Sequence, residues 1–305
     1  MAVINAAMQI ILIKGNAMPF RRTGDFSPHS RRTGRSGPHR RASGGTPYRR
    51  GDGAAPRKRV AAFTPRRSRF NKDQIVAELK RMGRPEVKAS MESFGINTAS
   101  ALGISVPELR RLGTRVGMSH ELALEMWDTG IHEARLLATI IEDPLTTTNR
   151  QMELWVRDLD AWDVCDSLCT NVLWQTKPAY MKAAEWSRRD REFVRRAGFA
   201  MMAVLASHDK EANDQQFINF FPLIGGGADD DRNFVKKAVS WALRNIGKRN
   251  MKLNKDAIAF AEKIALRETP SAKWIAMDVI RELKSDAVIN RLKAAEAAAA
   301  EAQKA

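Results

Sequence analysis

The chain has 305 residues, of which 44% are hydrophobic, so it can bury a sizeable core in one large domain or two smaller ones. The net charge of +16 is concentrated in residues 1–72, where 17 Lys and Arg face only Asp25 and Asp52; this segment carries +15 and the rest carries +1. The high net charge is therefore a property of the N-terminal segment. A binding site for a polyanion elsewhere in the chain must be a local basic patch.

Composition also argues against several classes of protein. No apolar run approaches the ~18 residues that a membrane span needs, and the apolar stretch at residues 8–13 is too short for a secretory signal. Cys165 and Cys169 cannot form a disulfide framework and are expected as thiols on adjacent helical turns, which favours a reducing compartment. Residues 132–136 lack the second His of a zinc-protease helix, so no metal site is expected.

The N-terminal segment is predicted to be a disordered basic arm over residues 1–72. Residues 20–70 are rich in Arg, Gly, Ser, Pro and Thr, and the tetrapeptide Arg-Arg-Thr-Gly occurs at 21–24 and again at 31–34. Two interpretations stay open: a nonspecific nucleic-acid-binding arm, or a solvated tail without a specific role. Organelle targeting and a translation start at Met8 or Met18, in place of Met1, are further alternatives.

From Asp73 onward the apolar residues follow helical spacing in short segments, and roughly twelve to fourteen helices are expected with no convincing strand. Pro and polar residues mark predicted helix starts at Pro107, Ser119, Pro178, Asp190 and Pro270, with breaks at 209–214 and 225–231. Many short helices with short connections predict an all-α superhelix (α-solenoid) of degenerate helical repeats over residues 73–290. An Ala- and Glu-rich helical tail over 291–305 is expected to fray.

Three helices carry residues that suggest chemistry. They read Ala-Trp-Asp-Val-Cys-Asp-Ser at 161–167, Phe-Val-Arg-Arg-Ala at 193–197 and Phe-Val-Lys-Lys-Ala-Val-Ser-Trp-Ala-Leu-Arg at 234–244. Their order and separation resemble the AlkD-like DNA alkylation repair glycosylases, which are built from HEAT-like helical repeats. Companion pieces also match: Leu-Gly-Ile at 102–104, Pro-Glu-Leu-Arg-Arg at 107–111, Met-Trp-Asp at 126–128, and Glu133. The resemblance covers roughly residues 75–285.

Helical geometry adds a spatial prediction for the first of these helices. Trp162 and Asp166 are four residues apart and share one face. At ~100° per residue, Asp166 lies roughly 85° and Asp163 roughly 145° from the centre of the apolar stripe. Asp163 is therefore predicted to face solvent and Asp166 to line a groove at the flank of the helix.

The same geometry applied to the second helix predicts that Arg196 flanks the buried stripe, whereas Arg195 points nearly opposite. Spacing alone would make Trp162 and Trp241 core residues, Asp166 a surface ion-pair partner, and Arg196 a solvated or salt-bridged residue. The resemblance moves these residues towards a functional role.

The resemblance implies a catalytic site formed by Asp166, Trp162 and Trp241, without metal or other cofactor. Loss of a base passes through an oxocarbenium-like state, which a nearby carboxylate stabilises and aromatic faces support by cation–π attraction. A purine alkylated at N3 or N7 is already cationic and leaves as a neutral base, so no general acid is needed. The family is noted for acting on a base left in the stack, in contrast to enzymes that extrude it.

The resemblance also implies contacts to DNA phosphates, which position the protein without reading sequence. The candidate contacts are Arg196, Lys236, Lys237, Arg244, Arg110 and Arg111. Phe94 stands where some relatives carry an aromatic hydroxyl, which puts one lesion contact in doubt.

The sequence therefore predicts a monofunctional DNA-alkylpurine glycosylase that acts on double-stranded DNA. No Lys stands out as a Schiff-base nucleophile, so no strand-cleaving lyase step is expected. A monomer is expected because DNA needs an open concave face, and the expected location is the cytoplasm, on the nucleoid. The alternatives are a noncatalytic DNA-binding repeat protein and a protein-interaction scaffold, which would instead carry an apolar concave surface.

Overall fold

The structure, a computed structural model, describes residues 69–302; the predicted basic arm lies outside these residues except for its last part, 69–72. Within 69–302 the regular elements are all helical, which confirms the all-α prediction. The α-helices are α1 (Lys72–Met82), α2 (Pro85–Ser93), α3 (Val106–Val116), α4 (His120–Asp128), α5 (His132–Ile141), α6 (Asn149–Arg157), α7 (Trp162–Asn171), α8 (Ala179–Trp186), α9 (Glu192–His208), α10 (Asp214–Ile218), α11 (Phe221–Gly227), α12 (Asn233–Gly247), α13 (Met251–Ala265), α14 (Pro270–Leu283) and α15 (Asp286–Ala302), with a 3-10 turn at Leu173–Gln175.

Six of these helices form a continuous row in the order α3, α5, α7, α9, α12 and α14, each packed against the next. The helices between them in sequence cover the row: α4 packs on α5, α8 on α9, and α13 on both α12 and α14. This alternation is the stacked-hairpin arrangement that the sequence predicts. The row matters for function because it contains α7, α9 and α12, the three helices whose sequences suggest chemistry.

Several helix boundaries follow from local chemistry. Pro107 lies in the first turn of α3, and the Ser119 hydroxyl accepts a hydrogen bond from the Leu122 amide at the start of α4, both as predicted. The prediction that Asp190 caps α9 is wrong. That helix begins after Arg191 without a side-chain cap, and the Asp190 carbonyl instead accepts a hydrogen bond from Arg232 at 2.5 Å.

One predicted feature of the C-terminal half also differs in the structure. The break expected at 225–231 begins late, because Gly225 and the two glycines after it complete α11. Residues 291–302 of the predicted helical tail belong to α15, in which the side chains of Val288 and Leu292 are buried; the fraying of this tail stays a prediction. The described residues hold fifteen α-helices, one more than the upper expectation.

The loop before α3 is organised by one buried carboxylate. The Glu133 side chain, on α5, accepts hydrogen bonds from the backbone amides of Leu102 at 2.8 Å, Gly103 at 2.7 Å and Ile104 at 3.2 Å. Gly103 has φ +86°, and a Cβ there would lie 2.1 Å from the Arg84 carbonyl oxygen. The Glu133 carboxylate therefore fixes the backbone of the Leu-Gly-Ile segment at 102–104, which gives a structural reason for these two features to occur together.

A close backbone approach fixes the middle of the row. Gly198, on α9, faces the end of α8 so closely that an added Cβ would lie 2.2 Å from the Ser187 amide nitrogen. Because Gly198 follows Arg196 by two residues, this contact also sets the position of the segment that carries Arg196.

Candidate active site

Asp166 and Arg196 form a bidentate ion pair between α7 and α9. Arg196 Nε donates to Asp166 Oδ1 at 3.0 Å, and Arg196 Nη2 donates to Asp166 Oδ2 at 2.7 Å. Arg196 Nη1 also donates to the Phe234 carbonyl at 2.7 Å, at the start of α12. Both charged residues are 0% exposed. One guanidinium thus links three consecutive helices of the row.

This arrangement corrects the groove-lining prediction for Asp166 and Arg196. A helical wheel assumes that a helix buries only one face, but the inner helices of the row pack against a neighbour on either side. A residue at the flank of the apolar stripe therefore faces the next helix and not solvent. The two residues meet as an ion pair inside the protein, a pairing that the sequence did not predict.

The electrostatics of the pair combine burial and attraction. Burial raises the pKa of the Asp166 carboxyl, and the attraction and hydrogen bonds of Arg196 oppose that rise. Burial disfavours the charged form of Arg196 too, but attraction to Asp166 outweighs it and raises the guanidinium pKa. Arg196 stays charged, and the carboxylate that faces it is held in an environment of low polarity.

Two thiols line the same helix. Cys165 and Cys169 are free and buried on adjacent turns of α7, which confirms the prediction of unpaired thiols. Their sulfurs lie 3.9 Å from the Phe193 carbonyl oxygen and 3.8 Å from that of Ala197, along α9. Burial raises the pKa of the Cys169 thiol well above its ordinary value, so it is an inert packing group.

Aromatic residues gather at the amino-terminal ends of α7, α9 and α12. Trp162 is buried, and its Nε1 donates to the Phe94 carbonyl at 3.1 Å, while the Phe94 ring is exposed at the end of α2. The Phe193 and Phe234 ring centroids are 5.5 Å apart. A Cβ on Gly95 would lie 3.2 Å from Phe234 Cζ, so the turn after α2 reaches α12. Phe94 therefore lies at the surface beside Trp162.

The remaining candidate catalytic residue and two candidate phosphate contacts lie on α12. Trp241 is half-buried, one turn beyond Lys237. Burial lowers the pKa of Lys237, and the nearby charges of Arg196 and Lys236 lower it further. Within residues 69–302 neither lysine forms an ion pair, so the positive charge at the start of α12 is not neutralised.

The other candidate phosphate contacts are placed differently. Arg244 is buried, with Nε 3.4 Å from Asp278 Oδ2, and it forms a second ion pair with Glu282. Its charge is therefore neutralised within the protein. Arg110 is half-buried and Arg111 exposed on α3, which α5 separates from α7 in the row.

A second polar link, which the sequence interpretation missed, joins α5 and α7. His132 Nε2 lies 2.9 Å from Asp163 Oδ2, and the His132 ring is almost wholly buried. The prediction that Asp163 faces solvent is wrong, because the flank of α7 faces α5. Burial lowers the His132 pKa, but the hydrogen bond and charge of Asp163, with smaller contributions from Glu133 and Asp160, raise it overall.

This link predicts a pH-dependent contribution to stability. Because the folded-state pKa of His132 is raised above 6.5, its charged pair with Asp163 is fully formed below that value and is lost as pH rises through the raised pKa. Asp163→Asn should therefore destabilise the protein more at about pH 5.5 than at about pH 8.5, measured by urea unfolding. Asp128→Asn, an exposed carboxylate on α4, is the matched control; an Asp163→Asn deficit that grows with pH would contradict the assignment.

Among the described residues, no group of three or more His, Cys, Asp or Glu side chains is arranged to hold a metal ion. In the same part of the chain, no helix combines the length and apolarity needed to cross a membrane.

The fold and the site define an all-α, HEAT-like repeat protein with a buried ion pair at the centre of its helix row. The sequence model of the family described as DNA alkylation repair enzyme matches residues 75–286. This match spans more than half of the 305 residues, and the chain belongs to the DNA alkylation repair enzyme family.

Solved structures bear on the fold. One, described as "A new family of proteins related to the HEAT-like repeat DNA glycosylases with affinity for branched DNA structures", has a TM-score of 0.60 at 17% identity and covers 70% of this chain and 95% of that chain. A crystal structure of an engineered protein has a TM-score of 0.34 at 14% identity and covers 70% and 91% of the two chains; this similarity is too low to inform the fold. The comparison with curated proteins found no match.

Proposed function

We propose that this protein hydrolyses the N-glycosidic bond of cationic N3- or N7-alkylated purines in double-stranded DNA. The observation that carries the proposal is the Asp166 carboxylate, which Arg196 holds in fixed orientation next to the helix turn that bears Trp162. Together with membership in the DNA alkylation repair enzyme family, this supports a glycosylase that acts on alkylated bases.

The proposed chemistry needs one preorganised negative charge. As the glycosidic bond breaks, positive charge develops on the sugar, and a carboxylate in surroundings of low polarity stabilises that charge more strongly than one in water. The cationic base leaves as a neutral molecule with the electrons of the glycosidic bond; water adds to the cationic sugar and loses a proton to solvent, which leaves an abasic site. Trp162 and Trp241 would offer aromatic faces to the same charge.

Access to Asp166 is part of this proposal. Asp166 is fully buried and Trp162 lies one turn before it on α7, so we propose that the sugar approaches the carboxylate past Trp162. The exposed ring of Phe94 lies at that edge, and its carbonyl holds the Trp162 indole. We propose that DNA binding shifts this turn and opens the carboxylate to the sugar.

Lys236 and Lys237 are the best-placed phosphate contacts for this mode of binding, since they lie at the start of α12 without counter-charges in the described residues. Arg196 positions Asp166 rather than DNA in this arrangement, and Arg244 holds α14. We propose a monomer as the active form, and an accessory role in DNA binding for the basic arm.

The decisive experiment measures release of 7-methylguanine and 3-methyladenine from methylated duplex DNA. Wild-type protein should release both bases, and Asp166→Asn should lower the single-turnover rate roughly 10²- to 10³-fold, the usual effect of removing one preorganised electrostatic group. Asp128→Asn, which alters an exposed carboxylate, should leave the rate unchanged. Trp162→Phe serves as a second variant that keeps the ion pair intact.

A second candidate function is DNA binding without turnover. The complete burial of Asp166 favours it, as does the fold similarity to proteins described as having affinity for branched DNA. No base release by wild-type protein, combined with salt-sensitive binding to DNA, would establish this second function and refute the first.

A further inference from the structure

An exposed aromatic residue lies on the last helix of the row. Trp274, on α14, is 36% exposed, and Lys236 Nζ on α12 lies 5.2 Å from the centroid of its ring. One turn later, Met277 is 71% exposed, so the apolar surface continues beyond the indole. An indole and an ammonium group on neighbouring helices thus share one surface with an exposed thioether.

The packing of α12 against α14 shows why this surface is unusual. Side chains four residues apart on α12 face side chains four residues apart on α14. Ser240 donates to Asp278 at 2.7 Å, and in the following turn Arg244 pairs with Asp278 and Glu282. Each of these contacts ends on a carboxylate.

At the amino-terminal end of the same interface, the position equivalent to those carboxylates holds an aromatic ring. Lys236 therefore contacts Trp274 where an acid would have neutralised it, and within residues 69–302 it forms no ion pair. Lys237 adds a second ammonium beside it; burial lowers its pKa, and the positive charges of Arg196 and Lys236 lower it further. The surface combines an accessible aromatic ring with unbalanced positive charge.

We propose that Lys236, Trp274 and Met277 form a binding site for an unpaired nucleotide of DNA. The base would stack on the indole and the thioether, and its phosphates would contact Lys236 and Lys237. Aromatic rings beside basic groups are the general means of holding single-stranded nucleic acid. The nucleotide is unpaired because both faces of a paired base are covered by its neighbours in the stack. The proposal rests on the DNA-binding part of the proposed function and adds a second site to it.

The test compares two labelled duplexes of one sequence, one fully paired and one with a single-nucleotide bulge, by fluorescence anisotropy. Trp274→Ala should weaken binding of the bulged duplex about 5- to 150-fold, the range for one stacked base, and change binding of the paired duplex less than about 2-fold. Trp274→Phe should retain most of the affinity. Leu266→Ala, another exposed apolar residue at the end of α13, is the matched control and should change neither.

A second variant makes the result independent of any loss of folding. Lys236→Gln should weaken binding of the bulged duplex and reduce its salt slope by about 1. Lys236→Gln should also weaken binding of the paired duplex, because Lys236 is a proposed phosphate contact there too. For Trp274→Ala, equal losses on both duplexes, or no loss on either, would overturn the nucleotide site while leaving the glycosylase proposal intact. Failure of wild-type protein to bind either duplex would instead refute the DNA-binding function itself.

Discussion

Asp166→Ala is expected to lower the free energy of unfolding by about 3–5 kcal/mol, because it leaves the Arg196 guanidinium buried without its counter-charge. The expected loss is large because neither member of the pair reaches solvent, and Arg196 would retain only the Phe234 carbonyl as a partner. Urea unfolding followed by circular dichroism measures it.

The double variant shows whether the loss comes from the broken pair. Asp166→Leu combined with Arg196→Met replaces both charges with apolar groups, and it should recover most of the stability that either single change removes. Asp128→Asn should stay within about 0.5 kcal/mol of wild type, as exposed substitutions usually do. Additive losses in the double variant would show that the two residues contribute independently.

The second large effect is expected for Glu133→Ala, also about 3–5 kcal/mol. This change leaves the amides of Leu102, Gly103 and Ile104 without an acceptor, and each buried unsatisfied donor costs about 1–3 kcal/mol unless water or relaxation relieves it. Glu133→Gln should be milder, since one side-chain oxygen still accepts. The unfolding free energy in urea gives the comparison.

Glu125→Ala is the matched control, because this exposed glutamate lies on the neighbouring helix α4. A loss for Glu133→Ala no greater than that of the control would mean that the loop before α3 does not depend on the carboxylate. Base release should fall only as far as the folded fraction falls, since Glu133 lies outside the proposed active site.

The helical repeat could be predicted because apolar spacing and short breaks reflect how each helix packs. The family could be predicted because the Trp162, Arg196 and Trp241 helices recur in order. The burial of Asp166 could not be predicted, because it depends on which helix packs against the flank of α7. Residue separations in the structure supply that information: Asp163 follows His132 by 31 residues, Arg196 follows Asp166 by 30, and Asp278 follows Ser240 by 38.

These separations are the lengths of one degenerate repeat, which the sequence does not display as an exact period. Each polar link joins equivalent positions of successive row helices. The repeat is therefore easier to recognise from the side chains that pair than from similarity between the residues of successive repeats. The sequence did not single out Trp274 as a functional residue for the same reason. Its significance depends on Lys236, one repeat earlier.

Arg196 spans the joint between successive repeats, and this gives the solenoid a mechanical property. Its guanidinium is anchored to α7 through Asp166 and to α12 through the Phe234 carbonyl. A change in the angle between these helices would stretch or rotate these anchors, so the curvature of the row is coupled to the orientation of the Asp166 carboxylate. DNA that bends the solenoid would thereby aim the charge on which the proposed reaction depends.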